Sequence, residues 1–214
     1  MRSIGVFCGT FNPIHLGHLL VAECARDQFN LEKVIFVTSP RPPHRNDVLL
    51  DAGQRHEMVA LAVADNPHFE ASTLEIERSG PSYTIDTIKQ LIDAYGVQVQ
   101  FNLLLGADNI KHLASWHQPE ELALLVRFLV APRSGEPSEL NHSKRTASSS
   151  GSFVLSHFAI PMVARCEVID FPAVDISSSE IRKRISQGRS VLYMVPPVIN
   201  QVLIERGFYR GARV

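Results

Sequence analysis

Cysteine is scarce: Cys8, Cys24 and Cys166 are odd in number, and no two share a C-x-x-C spacing. That argues against a disulfide framework and against a cysteine zinc site, so the expected compartment is the reducing cytoplasm. Charge of one sign is missing too. Lys and Arg total 21 against 22 Asp and Glu, a formal net charge of -1. The chain therefore has no global polybasic signature for a nucleic-acid polymer or an anionic membrane, although a local basic patch is still allowed. Long hydrophobic runs are absent: Leu122–Val126 stops at Arg127, far short of the roughly 18 residues that span a bilayer. The opening MRSIGVFCGTF turns polar too early for a secretory segment and reads as a strand. What is present is an ordinary globular balance, 45% hydrophobic and 20% charged, which argues against general disorder. At 214 residues the chain is too long for a disulfide-stapled miniprotein and short for two full-sized domains.

Strand-like and helix-like segments alternate from the start. Ser3–Cys8 is a short apolar run, Gly9–Pro13 breaks it, and Leu16–Phe29 carries a helical pattern. Lys33–Thr38 is β-branched and aromatic at strand length, and a loop rich in Pro40, Pro42 and Pro43 follows. This β–α–β order predicts parallel strands with right-handed crossovers. Helices are expected over Gln54–Asn66, Thr84–Tyr95, Glu180–Ser186 and Val198–Arg206, with strands over Val99–Leu105, Val126–Ala131 and Cys166–Phe171. In the second helix Ile85, Ile88, Leu91, Ile92 and Tyr95 form one apolar stripe ending before Gly96. Gly188 and Gly207 stand where C-cap glycines belong. Ser134–Ser152 holds seven serines, no aromatic and one leucine. It lacks the apolar surface to offset its ordering entropy, and reads as a mobile insertion, either a plain loop or a lid. The alternation predicts an α/β fold, a doubly wound open parallel sheet with a small helical C-terminal part over 175–210. In such sheets ligands bind beyond the carboxyl ends of the strands. The loops after Cys8, Thr38, Leu105, Ala131 and Phe171 should therefore share one rim.

Two clusters on that rim carry chemistry. The first is Cys8-Gly9-Thr10-Phe11-Asn12-Pro13-Ile14-His15-Leu16-Gly17-His18, between the first strand and first helix. His15 and His18 occupy neighbouring rows of the helix's first turn. Unpaired N–H groups and the positive dipole end favour an anion there, and two imidazoles add donors where a phosphate would sit. Gly9 lets backbone approach a ligand and Gly17 leaves room beside the pair. The alternatives are one capping and one packed histidine, or a zinc pair, for which no third ligand is placed. The second cluster is Asp175-Ile176-Ser177-Ser178-Ser179-Glu180-Ile181-Arg182. Serines here can be plain N-caps with Glu180 in a capping box, or hydroxyl and amide donors to phosphate, with Arg182 able to fork onto its oxygens.

G-T-F-N-P-I-H-L-G-H together with I-S-S-S-E-I-R resembles the nucleotidylyltransferase superfamily, which pairs a T/H-x-G-H motif with a downstream S-S/T-x-x-R/K motif. The rest of the chain resembles its bacterial nicotinate-nucleotide adenylyltransferase branch. Pro42-Pro43-His44-Arg45, Gly80-Pro81-Ser82-Tyr83-Thr84, Gly106-Ala107-Asp108 with Trp116, Ala131-Pro132-Arg133, and Val195-Pro196-Pro197 to Gly207-Phe208-Tyr209 carry that likeness. It runs from residue 2 to about 210 and departs at three positions. Cys8 stands where a second glycine is usual, Asn12 where Asp is usual, and Arg45 replaces Lys.

The resemblance implies a single Rossmann-like nucleotidylyltransferase domain over residues 1–214. It implies adenylyl transfer from ATP, with Mg²⁺ on the phosphates, to nicotinate mononucleotide, giving the dinucleotide and pyrophosphate. His15, His18 and Arg182 would be catalytic. Gly9, Thr10, Phe11, Gly106, Asp108, Ile176, Ser177, Ser178 and Ser179 would complete the ATP site. Asn12, His44, Arg45, Tyr83, Thr84, Trp116, His117 and Arg133 would hold the mononucleotide. Asp108 could instead be the N-cap of a helix over Asn109–Ala114, Trp116 could be packing, and Arg133 with His44 and Arg45 could be solvated charges. A nicotinamide-mononucleotide or phosphopantetheine acceptor, and a catalytically dead nucleotide sensor, are the competing readings. No membrane or nucleic-acid polymer is expected as partner, and oligomeric state is not legible.

Overall fold

A computed structural model describes residues 1–40, 50–110, 112–132, 166–172 and 174–211. The expectations for His44, Arg45, Arg133 and the serine-rich insertion lie outside the described residues.

Six strands form one sheet: β1 Arg2–Gly9, β2 Lys33–Thr38, β3 Phe69–Ser72, β4 Val99–Gly106, β5 Val126–Ala131 and β6 Cys166–Val168. Their order is β3-β2-β1-β4-β5-β6, and every pairing is parallel. The helices are α1 Leu16–Gln28, α2 Ala52–Val63, α3 Leu74–Glu77, α4 Thr84–Tyr95, α5 Ala107–Ile110, α6 Pro119–Leu125, α7 Ser178–Ser186 and α8 Pro197–Glu205.

Strands covered on both faces read as continuous apolar runs rather than alternating ones, and β2 does. Val34 and Phe36 join one core with Val21, Ala22 and Ala25 of α1, Met58 and Val59 of α2 and Ile199 of α8. Ile35 and Val37 join the opposite core with Ile85, Ile88 and Leu91 of α4 and Leu122 of α6. This is the doubly wound open sheet that the alternation predicts. Strand order reverses between β1, which continues to β2, and β4, which continues to β5. The crevice at that switch point is where such folds place ligands.

Some boundaries differ from expectation for local reasons. The helix expected over Gln54–Asn66 is α2, two residues earlier at its start, because Asp51 caps it by accepting from the Gly53 N–H at 2.8 Å. The last strand stops at Val168 rather than Phe171. The Ile169 N–H still reaches the Val130 carbonyl at 2.8 Å, but the Asp170 N–H turns to Gln28 Oε1 at 2.7 Å. Strand β3 and helices α3 and α6 are additional to those expected. A helix over Asn109–Ala114 does not form. Helix α5 begins at Ala107 and a 3₁₀ turn covers Leu113–Ser115, so Asp108 lies inside the first turn and is not its N-cap.

Candidate active site

The turn after β1 is shaped by packing against its own backbone. Phe11 adopts a left-handed φ of 44° and folds its ring over Gly9. A Cβ on Gly9 would come within 2.8 Å of Phe11 Cζ, so only glycine allows this approach. His15 then caps α1 in extended backbone. Its ring stacks on His18, with centroids 3.7 Å apart and planes 26° apart. Gly17 makes room for that stack, since a Cβ there would lie 3.1 Å from His15 Nδ1. The His15 backbone N–H donates to His18 Nδ1 at 3.3 Å. Neutral His18 therefore holds its proton on Nε2, which is the ring's donor. Phe7 and Phe11 meet the His18 ring edge-on at 5.9 and 5.1 Å and fix its plane.

His15 is 6% exposed, and burial pulls its pKa down to about 4. At neutral pH it is a neutral donor and not a cation. The unfolded imidazole titrates at about 6.5. Between that value and 4 the unfolded chain binds the extra proton, so stability falls as pH drops through this window. His15 alone should remove about 2 kcal/mol between pH 7 and pH 5. Urea unfolding of the wild type and a His15→Asn variant at both pH values measures it, the expected outcome being a shallower loss in the variant.

Helix α7 docks on the same turn. Ser177 is its N-cap, accepting from the Glu180 N–H at 3.2 Å. Ser178 Oγ donates to the Pro13 carbonyl at 2.9 Å, and Arg182 donates to the Asn12 carbonyl at 3.0 Å and to Ser179 Oγ at 3.4 Å. The serine cluster thus both caps a helix and locks the two motifs together. Arg182 reaches the turn after β1 through that turn's backbone, whereas Ile176 and Ser177 to Ser179 line the cleft itself. Asn12 is buried. Its Oδ1 accepts from Tyr209 Oη at 2.7 Å, and its Nδ2 has no hydrogen-bond partner among the described residues. Burial pushes the Tyr209 hydroxyl well above the ordinary phenol value, which keeps it a donor.

The cleft at the switch point has a volume of about 840 Å³. Gly9, Thr10, Phe11, Asn12, His15 and His18 line one side, and Gly106 and Asp108 line the end of β4. Tyr83, Thr84, Trp116 and His117 line a further wall, with Ala131, Phe171 and Asp175 on the same rim. The described parts of the predicted loops therefore converge. A Cβ on Gly106 would come within 2.5 Å of Asp108 Oδ1, so the glycine admits that carboxylate. Tyr83 stacks on His117 with centroids 4.3 Å apart, and Thr84 is the first residue of α4. Trp116 is partly buried against the second core while lining the cleft, so core packing and exposure to the cleft coexist. Cys8 lines the cleft as well, and burial pushes its thiol well above the ordinary value, away from the reactive thiolate.

Two side chains were not anticipated from the sequence. Arg55 is 1% exposed, and its guanidinium donates to the carbonyls of Leu50, Thr10, Ser39 and Pro40. It ties the turn after β1 to the chain leaving β2. Its signal was legible: Arg55 shares the apolar row of α2 with Met58 and Val59, a charge where a hydrophobe belongs. Glu75, 2% exposed, also lines the cleft, and the four-residue α3 offers no periodicity that would have marked it.

Among the described residues no three His, Cys, Asp or Glu side chains converge as a metal cage, and no helix is long and apolar enough to cross a membrane. Residues 6–184 match the Cytidylyltransferase-like family. A Moorella thermoacetica protein named "Probable nicotinate-nucleotide adenylyltransferase" is 39% identical over 209 residues, covering 97% of this chain and 91% of the relative. A protein of the same name from Exiguobacterium sibiricum is 37% identical over 207 residues, covering 97% and 98%. The Plasmodium falciparum nicotinic acid mononucleotide adenylyltransferase complexed with NaAD shares the fold, with a TM-score of 0.74 at 20% identity over 98% of both chains. The chain belongs to the Cytidylyltransferase-like family and, within it, to the nicotinate-nucleotide adenylyltransferases.

Proposed function

We propose that this chain transfers the adenylyl group of ATP to nicotinate mononucleotide, releasing pyrophosphate and forming nicotinic acid adenine dinucleotide, a step of NAD biosynthesis in the cytoplasm. The observation that carries the reading is the stacked His15–His18 pair at the N-terminus of α1, opening into one cleft with Thr84 and Trp116. One end of that cleft suits phosphates and the other an aromatic acid.

A phosphate oxygen of the mononucleotide attacks the α-phosphorus of ATP, the Pα–O bond to the β-phosphate breaks, and pyrophosphate leaves with the electron pair. Both reactants are anions, so the protein's work is positioning and charge stabilisation. His18 Nε2–H and the neutral His15 ring donate to the α-phosphate, and the amides of Gly9 to Phe11 and of Ser177 to Ser179 receive the remaining phosphate oxygens. Arg182 holds the Asn12 carbonyl and adds positive charge beside them. Asp108 and Gly106 meet the adenosine ribose. Mg²⁺ typically keeps several waters and binds through substrate phosphates with one or two carboxylates. The cleft fits that mode: Asp108, one of the carboxylates that line it, would hold the ion, which would neutralise phosphate charge.

At the acceptor end, the α4 N-terminus and the Thr84 hydroxyl receive the nicotinate carboxylate, Trp116 stacks on the pyridine face, and Tyr83 with His117 floors the pocket. The buried Asn12 Nδ2, without a partner among the described residues, donates to the mononucleotide phosphate, which His44, Arg45 and Arg133 also hold in this reading.

Pyrophosphate release from ATP, measured separately with nicotinate mononucleotide, nicotinamide mononucleotide and phosphopantetheine, tests the proposal. Nicotinate mononucleotide is the expected acceptor. A preference for nicotinamide mononucleotide overturns the role of Thr84, and tight ATP binding without turnover of any acceptor makes the chain a sensor.

A further inference from the structure

The wall beneath the acceptor end holds a buried carboxylate with one oxygen unused. Thr87 Oγ1 donates to Glu75 Oε1 at 2.6 Å, whereas Glu75 Oε2 is buried and has no hydrogen-bond partner among the described residues. Thr87 Oγ1 in turn accepts from Arg78 Nη2 at 3.3 Å, and the same nitrogen reaches the Tyr83 carbonyl at 3.4 Å. A relay from Arg78 through Thr87 thus fixes Glu75 against the first turn of α4. Glu75 lines the same cleft as Cys8, which lies at the carboxyl end of β1. Glu75 lines the cleft together with Tyr83, Thr84 and Trp116. A buried polar atom left unpaired carries a desolvation cost, and in a native site it calls for an explanation.

Resting on nicotinate mononucleotide as acceptor, we infer that Glu75 is a specificity residue that reads the positive charge of the N-alkylated pyridinium ring. The acceptor ring carries two charges of opposite sign, a carboxylate and a quaternised nitrogen. The α4 N-terminus supplies positive potential for the carboxylate, and a fixed anion on the neighbouring wall complements the nitrogen and the polarised ring C–H groups beside it. Glu75 is 2% exposed, and a pairing with a carboxylate so far removed from water is stronger than in solution. Its consequence is discrimination against mononucleotides with a neutral ring, which keep the same ribose, phosphate and carboxylate.

The test compares dissociation constants of nicotinate mononucleotide and its reduced dihydropyridine form, whose ring is neutral, by calorimetry on the wild type, Glu75→Gln and Thr87→Val. The wild type should favour the pyridinium form. In Glu75→Gln, which keeps the volume and an acceptor for Thr87, that preference should shrink by about tenfold, with KM for ATP unchanged. Thr87→Val removes the hydroxyl but leaves the carboxylate, and should retain the preference. Equal binding of both forms by the wild type overturns the inference without any variant. An equal weakening of both forms in Glu75→Gln overturns it as well, because a contact to the ribose or a purely structural role predicts that result. Failure of the wild type to adenylylate nicotinate mononucleotide would instead remove the functional reading on which it rests.

Discussion

Replacing His18 with alanine should lower turnover by about 10²–10³, the usual cost of deleting one preorganised donor to a transition-state oxyanion. The size follows from how completely the ring is fixed. The His15 N–H occupies Nδ1, His15 stacks on one face, and Phe7 and Phe11 hold the ring edge-on. The Nε2 donor therefore needs no reorganisation when charge builds on the α-phosphate. Steady-state pyrophosphate release at saturating substrates measures the loss, and a matched unfolding midpoint shows that the fold is intact. A drop in kcat with little change in the KM for ATP would mark a donor used in the transition state rather than in ground-state binding. Near-normal turnover removes His18 from the role.

The contrast with His15 explains why sequence reasoning saw the pair but not its division of labour. Spacing puts both imidazoles on the first helical turn, and the structure places them there. Spacing is silent about burial, which makes His15 neutral at pH 7 and turns part of a presumed cluster of positive charge into a neutral donor. The same limit recurs in the fold. Lys33–Thr38, Thr84–Tyr95 and Val126–Ala131 form over the predicted residues, because each is a clear apolar pattern closed by a breaker at Ser39-Pro40, Gly96 or Pro132. Phe69–Ser72 is a four-residue edge strand that borrows its order from pairing with β2, and nothing within F-E-A-S announces it. Asp108 was legible as a rim residue, but the N-cap role that the sequence also allowed does not hold, since α5 begins one residue before it. The serine cluster was legible as chemistry or as a cap, and the cap is the reading that the structure bears out. Ser177 caps α7 while Ser178 and Arg182 pin the backbone of the histidine turn. Tyr209 reaches back 197 residues to Asn12, a contact no local pattern encodes.

Arg55→Met should cost about 3–5 kcal/mol of stability, a larger effect than any surface substitution. Two opposing contributions set that figure. Burial pulls the guanidinium below its ordinary pKa, so removing the charge relieves a desolvation cost. Against this, its donors serve four carbonyls in three separate segments, at 2.6 Å to Thr10, 2.8 Å to Ser39, 2.9 Å to Leu50 and 3.3 Å to Pro40. Charge-assisted bonds of this kind contribute about 1.5–3 kcal/mol each, and methionine leaves all four acceptors unpaired in a site it still fills. The bonds outweigh the relief. For a chain of this size the loss lowers the thermal midpoint by roughly 10 °C, which differential scanning calorimetry reads directly. Lysine keeps the charge but presents one point of donation where the guanidinium presents a fork, so Arg55→Lys should recover only part of the difference. The functional consequence follows from the same contacts. Thr10 belongs to the turn assigned to ATP and Ser39 to the rim beside it, so loosening their common anchor should lower kcat/KM for ATP even where the fold persists at 25 °C. An Arg55→Met protein that melts with the wild type would mean that these carbonyls find water as readily as they find arginine.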